Sequence, residues 1–379
     1  MKIGINIIDF FKNKIPSLSS EGIYTYFGRD NNYPEKIDYL LKNSISGRRS
    51  VNLMTKFIIG KGVETINEKK VNENQSFFDF IRDIAEQITI YRGVYVAAEF
   101  NAAGQITQLK VPPFFSIRKT KKDDNGYNAK YIWKSNWLTQ NSEKKEFWSW
   151  DIDPNVMLNR LKQKEKSGMI YFWNADQNKN EYPLSRFNEV MNDLDTERMI
   201  SVFKNKTLNG GFFGKKIFLM PKLTDDNIDK TSPEYYELKE YENKVKDAIG
   251  KFMGVENIDN TLILSVNIDD IEQLEKSLII KDIPSNIEPD LFLNVEKSIK
   301  ENIMVAANNI PPLLFQTKDN SLFQQSGEAI RQAKIYYNEQ TEAERQILEN
   351  ILLKVFEKFE NPLIYETIKR EGITELIKE

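Results

Sequence analysis

The chain has 379 residues, and its 53 Lys and Arg against 56 Asp and Glu leave a formal charge of −3. That balance excludes a protein that holds nucleic acid by bulk positive charge. There is no Cys and no His, which excludes Ser-His and Cys-His nucleophile pairs, imidazole bases, disulfides and Cys/His zinc sites. Carboxylate chemistry, Lys or Tyr chemistry and Mg²⁺ held by oxygen ligands remain. The length allows two or three structural units. No apolar run reaches the roughly 18 residues of a membrane span.

The opening residues, MKIGINIIDFFKNKIPS, read as a short amphipathic helix rather than a secretory signal, because Asn6, Asp9 and Lys12 interrupt the apolar run. A cytoplasmic origin follows as an expectation. The polar loop Phe27 to Asn32 leads into Pro34, which suits the first turn of a helix carrying Ile37, Leu40 and Leu41. A second helix is predicted after Gly47, with Val51, Met54, Phe57 and Ile58 on one face and Gly60 and Gly62 stopping it. A third carries Phe77, Phe80, Ile81, Ile84, Ile88 and Tyr91 and ends at Gly93.

From Val94 the period changes. YVAAEF, GQITQLKV, FFSIRKT, AKYIWK, EFWSW and GMIYFW are aromatic or β-branched runs that predict about six strands. Asn101 to Gly104 and Asp123 to Gly126 have the composition of hairpin turns. The aromatic residues could form a base-stacking platform, but without interleaved Arg a packed sheet face is the better reading.

Helical spacing resumes from Pro183 to Leu208, where Leu184, Phe187, Val190, Met191, Leu194, Met199, Val202 and Phe203 recur on one face. After Asn209-Gly210-Gly211 come a strand GKKIFLM, a helix from about Pro233 to Met253, a strand TLILSV, and a helix from about Asp290 to Asn308. Asn309-Ile310-Pro311-Pro312 breaks that helix. One continuous helix of roughly 50 Å is predicted from about Ser326 to Glu360. Asn361-Pro362 closes it, and a short charged helix follows. The fold class is α+β.

Two kinds of motif can be weighed against simpler readings. Gly210 to Lys216 resembles a phosphate loop, but it lacks the final Ser or Thr and runs helix to strand, so a helix stop with a turn accounts for it better. The acidic pairs Asp123/Asp124, Asp151/Asp153, Asp193/Asp195, Asp225/Asp226 and Asp269/Asp270 sit in polar loops or near helix ends, where Asp caps and turns are expected. A carboxylate–Mg²⁺ enzyme acting on nucleic acid stays open on these residues.

The segment that stands out is IKENIMVAANNIPPLLFQTKDNSLFQQSGEAIRQAKIYYNEQTEAERQILENILL. A helix, a double-proline break with apolar neighbours, a polar loop from Gln316 to Gln325 and a long helix resemble the portal protein family of tailed bacteriophages. The N-N-Y-P start, FIIGKG, GVYVAAEFNAAGQITQLKVPP and the helix-Asn-Gly-Gly-strand unit are similar to that family in the same order. The resemblance implies a portal fold: a mixed α/β wing (1–183), a stem helix (184–208), a small α/β clip (209–286) and a second stem helix (287–308). A channel loop (309–325), one long wing helix (326–360) and a minimal or absent crown (361–379) complete it.

The function so implied is structural: a closed ring of dodecamer type at the capsid vertex through which double-stranded DNA is packaged and ejected. No catalytic residue, metal or cofactor is expected. The implied partners are further copies of the chain, double-stranded DNA, the terminase large subunit, major capsid or scaffold proteins and a head-completion adaptor, without a membrane. The location is the virion, after assembly in the host cytoplasm.

By position, Asn309, Gln316, Lys318, Asp319 and Asn320 would line the narrowest point, with Lys318 as a phosphate contact and Pro311 and Pro312 fixing the hinge. Glu288, Asp290, Glu296 and Glu301 would form a repelling wall while Phe292, Val295 and Ile299 pack neighbours; an exposed helix face is the alternative for the carboxylates. Another virion connector ring is the remaining reading.

Overall fold

The computed structural model describes residues 24–101, 103–121, 130–135, 137, 143–150, 156, 159, 168–176, 181–209, 216–222, 262–267, 279–282, 289–315 and 327–376, with backbone alone for those between 206 and 292. The predicted helix at residues 1–17, the turn Asp123 to Gly126, the Gly210 to Lys215 loop and the helix near 233–253 lie outside these residues. The fold is mixed α+β and divides into two units, one formed by Met1–Leu194 with Lys300–Glu379 and the other by Asp195–Ile299.

In the larger unit, α1 (Tyr33–Asn43) has proline in its first turn, as its sequence predicts, and buries Ile37, Leu40 and Leu41. Helix α2 (Ile45–Ile59) starts two residues before Gly47, with the Ser44 hydroxyl accepting from the Gly47 amide. Gly47 therefore lies inside the helix rather than ahead of it. A Cβ there would stand 2.6 Å from the Leu194 side chain, so close packing, not a chain break, explains the glycine. A short hairpin, β1 (Lys70–Asn72) and β2 (Gln75–Ser76), precedes α3 (Phe77–Tyr91), which is capped by Ser76. Arg92, not Gly93, ends α3 in the left-handed conformation. Gly93 opens the next strand, where a Cβ would meet Pro183 at 2.8 Å.

Six strands follow, as the change of period predicts: β3 (Gly93–Phe100), β4 (Ile106–Lys110), β5 (Ile117–Lys119), β6 (Lys130–Lys134), β7 (Lys144–Ser149) and β8 (Met169–Asn174). They form one sheet in the order β4-β3-β8-β7-β6-β5, antiparallel except for β7 against β8. The β3–β4 turn is closed by Asn101, whose Oδ1 accepts from the Ala103 and Gln105 amides, while Gly104 takes φ 79°. Strand β3 is buried from Gly93 to Ala98 on both faces, so it reads as a continuous apolar run. The aromatic residues do pack a sheet face: Tyr95 stacks on Phe172 with ring centroids 4.3 Å apart.

The expected helical start at Pro183 is not observed; helix α4 runs Met191–Asn209. Residues 184–190 are wound in turns, with the Asn188 amide donating to Ser185 O and the Val190 amide to Phe187 O. Such i to i+3 turns place Leu184, Phe187 and Val190 on one side just as a helix would, which is why the spacing misleads.

In the smaller unit the backbone of β9 (Lys216–Lys222) is central, parallel to β10 (Leu262–Asn267) and antiparallel to β11 (Ile279–Asp282). The chain leaves this unit in α5 (Pro289–Ala306), which is followed by a single turn, α6 (Pro312–Phe315). The expected single helix from 326 to 360 is two helices, α7 (Gly327–Gln340) and α8 (Glu342–Phe356). They part at Thr341, which is fully buried and whose hydroxyl donates to the Tyr337 and Asn338 carbonyls. A threonine back-bonding to the preceding turn competes with the helix ladder. Helix α9 (Pro362–Glu371) is the last helix of the described residues, with proline in its first turn.

The larger unit's core joins distant parts of the sequence. Phe356 of α8 packs edge-on against Phe80 and beside Phe77 of α3, with centroids 5.8 Å and 5.6 Å away. Tyr337 of α7 meets Phe57 of α2 at 4.9 Å.

Candidate functional site

The site singled out by the sequence is the end of α5. Its apolar residues Ile299, Ile303, Met304 and Ala307 are buried, at the spacing of one helix face. Ile299 is therefore enclosed by its own chain rather than offered to a neighbour, and Phe292's side chain lies outside the described residues. After Ala306 the chain turns through two consecutive left-handed residues, Asn308 (φ 58°) and Asn309 (φ 53°). Among residues with a Cβ, asparagine adopts this conformation most readily. The Asn309 amide donates to Val305 O, and the Ile310 amide to Met304 O, so the last helix carbonyls are satisfied. Pro311 then accepts from the Leu314 and Phe315 amides, and Pro312 opens α6.

This corner is clamped by side chains that the sequence alone did not single out. Asn308 Nδ2 donates to Gln340 O at 3.0 Å and to Glu344 Oε1 at 3.0 Å, while its Oδ1 accepts from Arg186. Arg186 also pairs with Glu344 through its other terminal nitrogen, and both side chains are largely buried. The Tyr337 hydroxyl donates to Ala307 O at 2.8 Å, and burial pushes that phenol far above its ordinary pKa. Thus the break after α5 is locked to the α7–α8 junction and to the segment before α4. The signal was available only in part: Asn-Asn ahead of Ile-Pro-Pro marks a left-handed helix end, but nothing in the sequence joins it to Arg186 or Glu344.

Asn308→Gly and Asn308→Ala separate backbone from side chain here. Both lose the clamp's hydrogen bonds, but alanine also pays for positive φ, so Ala should be the less stable by about 1 kcal/mol in urea unfolding. Equal stability of the two would mean that the left-handed turn carries no cost.

The remaining predicted residues fall as follows. Asn309 is exposed, Pro311 is half-buried and Pro312 exposed. Glu301 is exposed, whereas Glu296 forms an ion pair with Lys204. Five positions along a helix amount to a rotation of about 140°, so Glu296 and Glu301 do not share one stripe. Glu288, Gln316, Lys318, Asp319 and Asn320 lie outside the described residues.

Two other polar features belong to the larger unit. Arg118 is wholly buried; its Nε donates to Asn31 Oδ1 at 2.6 Å, its Nη1 to the Phe115 and Ile117 carbonyls, and its Nη2 to Asn31 O and Glu35. A cleft of about 1040 Å³ is lined by Asp79, Asp83, Glu99 and Glu146 together with Arg82, Lys110 and Lys145. Burial raises the Asp83 carboxyl above its usual range, against the lowering effect of the Gln75 amide at 2.7 Å. Among the described residues no group of three acidic side chains is placed to hold a metal ion. Of the acidic pairs, Asp193 accepts from Asn302 and Asp195 pairs with Arg198, while the others lie outside the described residues.

No helix among the described residues is long and apolar enough to cross a membrane. No protein-family model and no curated protein matches the chain. Among solved structures, it is similar to a chain from the virion of a native gene transfer agent particle, with 17% identity over 77% of this chain and 73% of that one and a TM-score of 0.45. A chain from the neck of the native particle, computed with C12 symmetry, matches with 14% identity over 80% and 75% and a TM-score of 0.42. A chain from the neck of the empty particle, computed with C6 symmetry, matches with 16% identity over 76% and 72% and a TM-score of 0.43.

Proposed function

We propose that the protein is a structural, non-enzymatic virion component: the subunit of a portal ring at a capsid vertex through which double-stranded DNA passes. The observation that carries this reading is the corner after α5. Helices α4 and α5 bracket the smaller unit in sequence, and α5 ends in a left-handed Asn pair and a double proline before the chain rejoins the larger unit's core through α7 and α8. The portal reading assigns these segments, in the same order, to stem helix, clip, stem helix, channel loop and wing helix.

In this reading α4 and α5 are the stem helices and residues 309–325 supply the channel loop, with Asn309, Gln316, Lys318, Asp319 and Asn320 nearest the DNA. The double proline holds the loop's first residues at a set angle to the stem. A near-neutral subunit suits a passage, because every cation that pairs with a phosphate tightens binding and slows movement. Leu293 of α5 is 64% exposed, a single apolar side chain of the kind that an adjacent copy would cover. Ring contacts are heterologous and close only when the rotation between copies fits. ATP hydrolysis would belong to a separate terminase motor, with a head-completion adaptor and capsid proteins as further partners.

The test is the mass of the purified protein by light scattering, followed by negative-stain images. A ring of about a dozen copies with a central hole is expected. A single-chain mass at every concentration and salt, together with failure to enter particles when supplied with capsid protein, would sink the reading.

A further inference from the structure

The exposed ridge of α2 carries a feature that neither the helix's packing nor the clamp explains. A groove of about 580 Å³ is lined by Lys42, Arg48, Arg49 and Lys56 and by no carboxylate. Two of these cations are already neutralised: Lys42 pairs with Asp38 at 2.7 Å and Arg48 with Glu86 at 2.7 Å. Arg49 and Lys56 are exposed and have no acidic partner among the described residues. With Asn52 between them they occupy positions i, i+3 and i+7, one row of the helix spanning about 10 Å. Arg49 is also held in place, because its guanidinium lies 5.5 Å above the ring of Phe315, the last residue of α6.

We propose that Arg49, Asn52 and Lys56 form a phosphate-backbone contact for double-stranded DNA. Cations and amides set along one ridge are the side chains that bind phosphate oxygens without reading bases. A braced guanidinium gives up little conformational freedom on engaging a phosphate, and its planar fork matches phosphate oxygens in pairs. The only strongly exposed apolar side chain of the groove is Ile45, too little apolar surface for a protein interface core. The stack on Phe315 puts the ridge at the point where residues 316–326 leave α6. The choice of duplex DNA as the polyanion rests on the channel reading above; the charge of the groove does not. The result is a holding contact, opposite in sign to the carboxylates of α5.

The experiment uses the full chain and a fluorescent 30-base-pair duplex, with anisotropy followed from about 50 to 200 mM salt. Arg49→Ala/Lys56→Ala should weaken binding about tenfold at the lower salt and flatten the slope of log affinity against log salt by about 1.8, the value for two lost phosphate contacts. The control Arg331→Ala/Lys334→Ala removes the same charge from exposed positions of α7 and should leave affinity within about twofold. Both pairs should retain the wild-type melting temperature.

Equal losses in the two variants would reduce the effect to bulk charge and overturn the proposal. So would undetectable duplex binding by the wild-type chain, or binding of poly-glutamate in preference to the duplex, which would assign the groove to an acidic protein. Negative-stain images of the same samples separate the two readings. Rings whose DNA binding ignores the groove overturn the groove alone, and single chains whose DNA binding needs it overturn the ring alone.

Discussion

Arg118→Ala should lower the stability of the larger unit by about 3 to 5 kcal/mol, measured by urea unfolding at neutral pH. The side chain is wholly buried in the edge of the sheet beside the 27–32 loop, and every one of its nitrogens has an acceptor. It also lies 5.0 Å from the centroid of Trp137 and 5.8 Å from that of Phe27. Alanine leaves a cavity, takes a donor from three carbonyls, those of Asn31, Phe115 and Ile117, and from the Glu35 carboxylate, and leaves the side chain of the left-handed Asn31 with the Phe27 amide alone.

The pH dependence follows from Glu35. Burial raises its pKa, and the Arg118 guanidinium lowers it by a smaller amount. A carboxyl whose folded pKa lies above the unfolded value contributes stability that is full below the unfolded value and is lost as pH rises through the folded one. Without Arg118 the folded value rises further. The cost of Arg118→Ala should therefore be smaller near pH 4, where Glu35 takes up a proton, than near pH 7. Glu35→Gln in the Arg118→Ala background should recover part of the loss at neutral pH and little in acid. A loss below about 1 kcal/mol, or one independent of pH, would show that the loop does not depend on this hub.

Arg186→Ala should cost about 3 kcal/mol, because it strands a largely buried Glu344 and removes a donor to Asn308. Glu344→Gln keeps the shape of the partner but not its charge, and should cost about half as much. A double-mutant cycle between positions 186 and 344 should give a coupling of about 2 kcal/mol. A coupling near zero would mean that the corner after α5 is held by the Asn308 and Tyr337 contacts alone. If the ring reading is right, the Arg186 variant should also assemble poorly while retaining the helix content of the smaller unit.

Much of the α+β pattern is local and could be read directly. Aromatic and β-branched runs between turn residues mark all six strands of the large sheet, because such side chains fit a pleated surface and Gly, Asn and Pro close the runs. Pro34 and Pro362 open helices, because a proline lacks only a donor that the first turn leaves unused. The Asn101–Gly104 turn rests on one asparagine side chain bonding its own neighbours.

The candidate site was legible at the Asn-Ile-Pro-Pro break, where backbone restriction is written into the residues themselves. Other features depend on groups far apart in sequence. Gly47 reads as a break ahead of a helix and Gly93 as a helix end until the Leu194 and Pro183 side chains that crowd them are in place. The long C-terminal helix divides because Thr341 is buried at a junction, and Thr in a helix reads as neutral until its surroundings make it bond backwards. Arg118 and Arg186 look like surface charges in the sequence.

Local periodicity and turn chemistry, which act over a few residues, determined the six strands, the first three helices and the break after α5. Which polar side chains are buried, which helix joins which core and what clamps the break were decided only by tertiary structure. Those energies come from desolvation and pairing between residues more than 80 positions apart, such as Arg118 with Glu35 and Arg186 with Asn308.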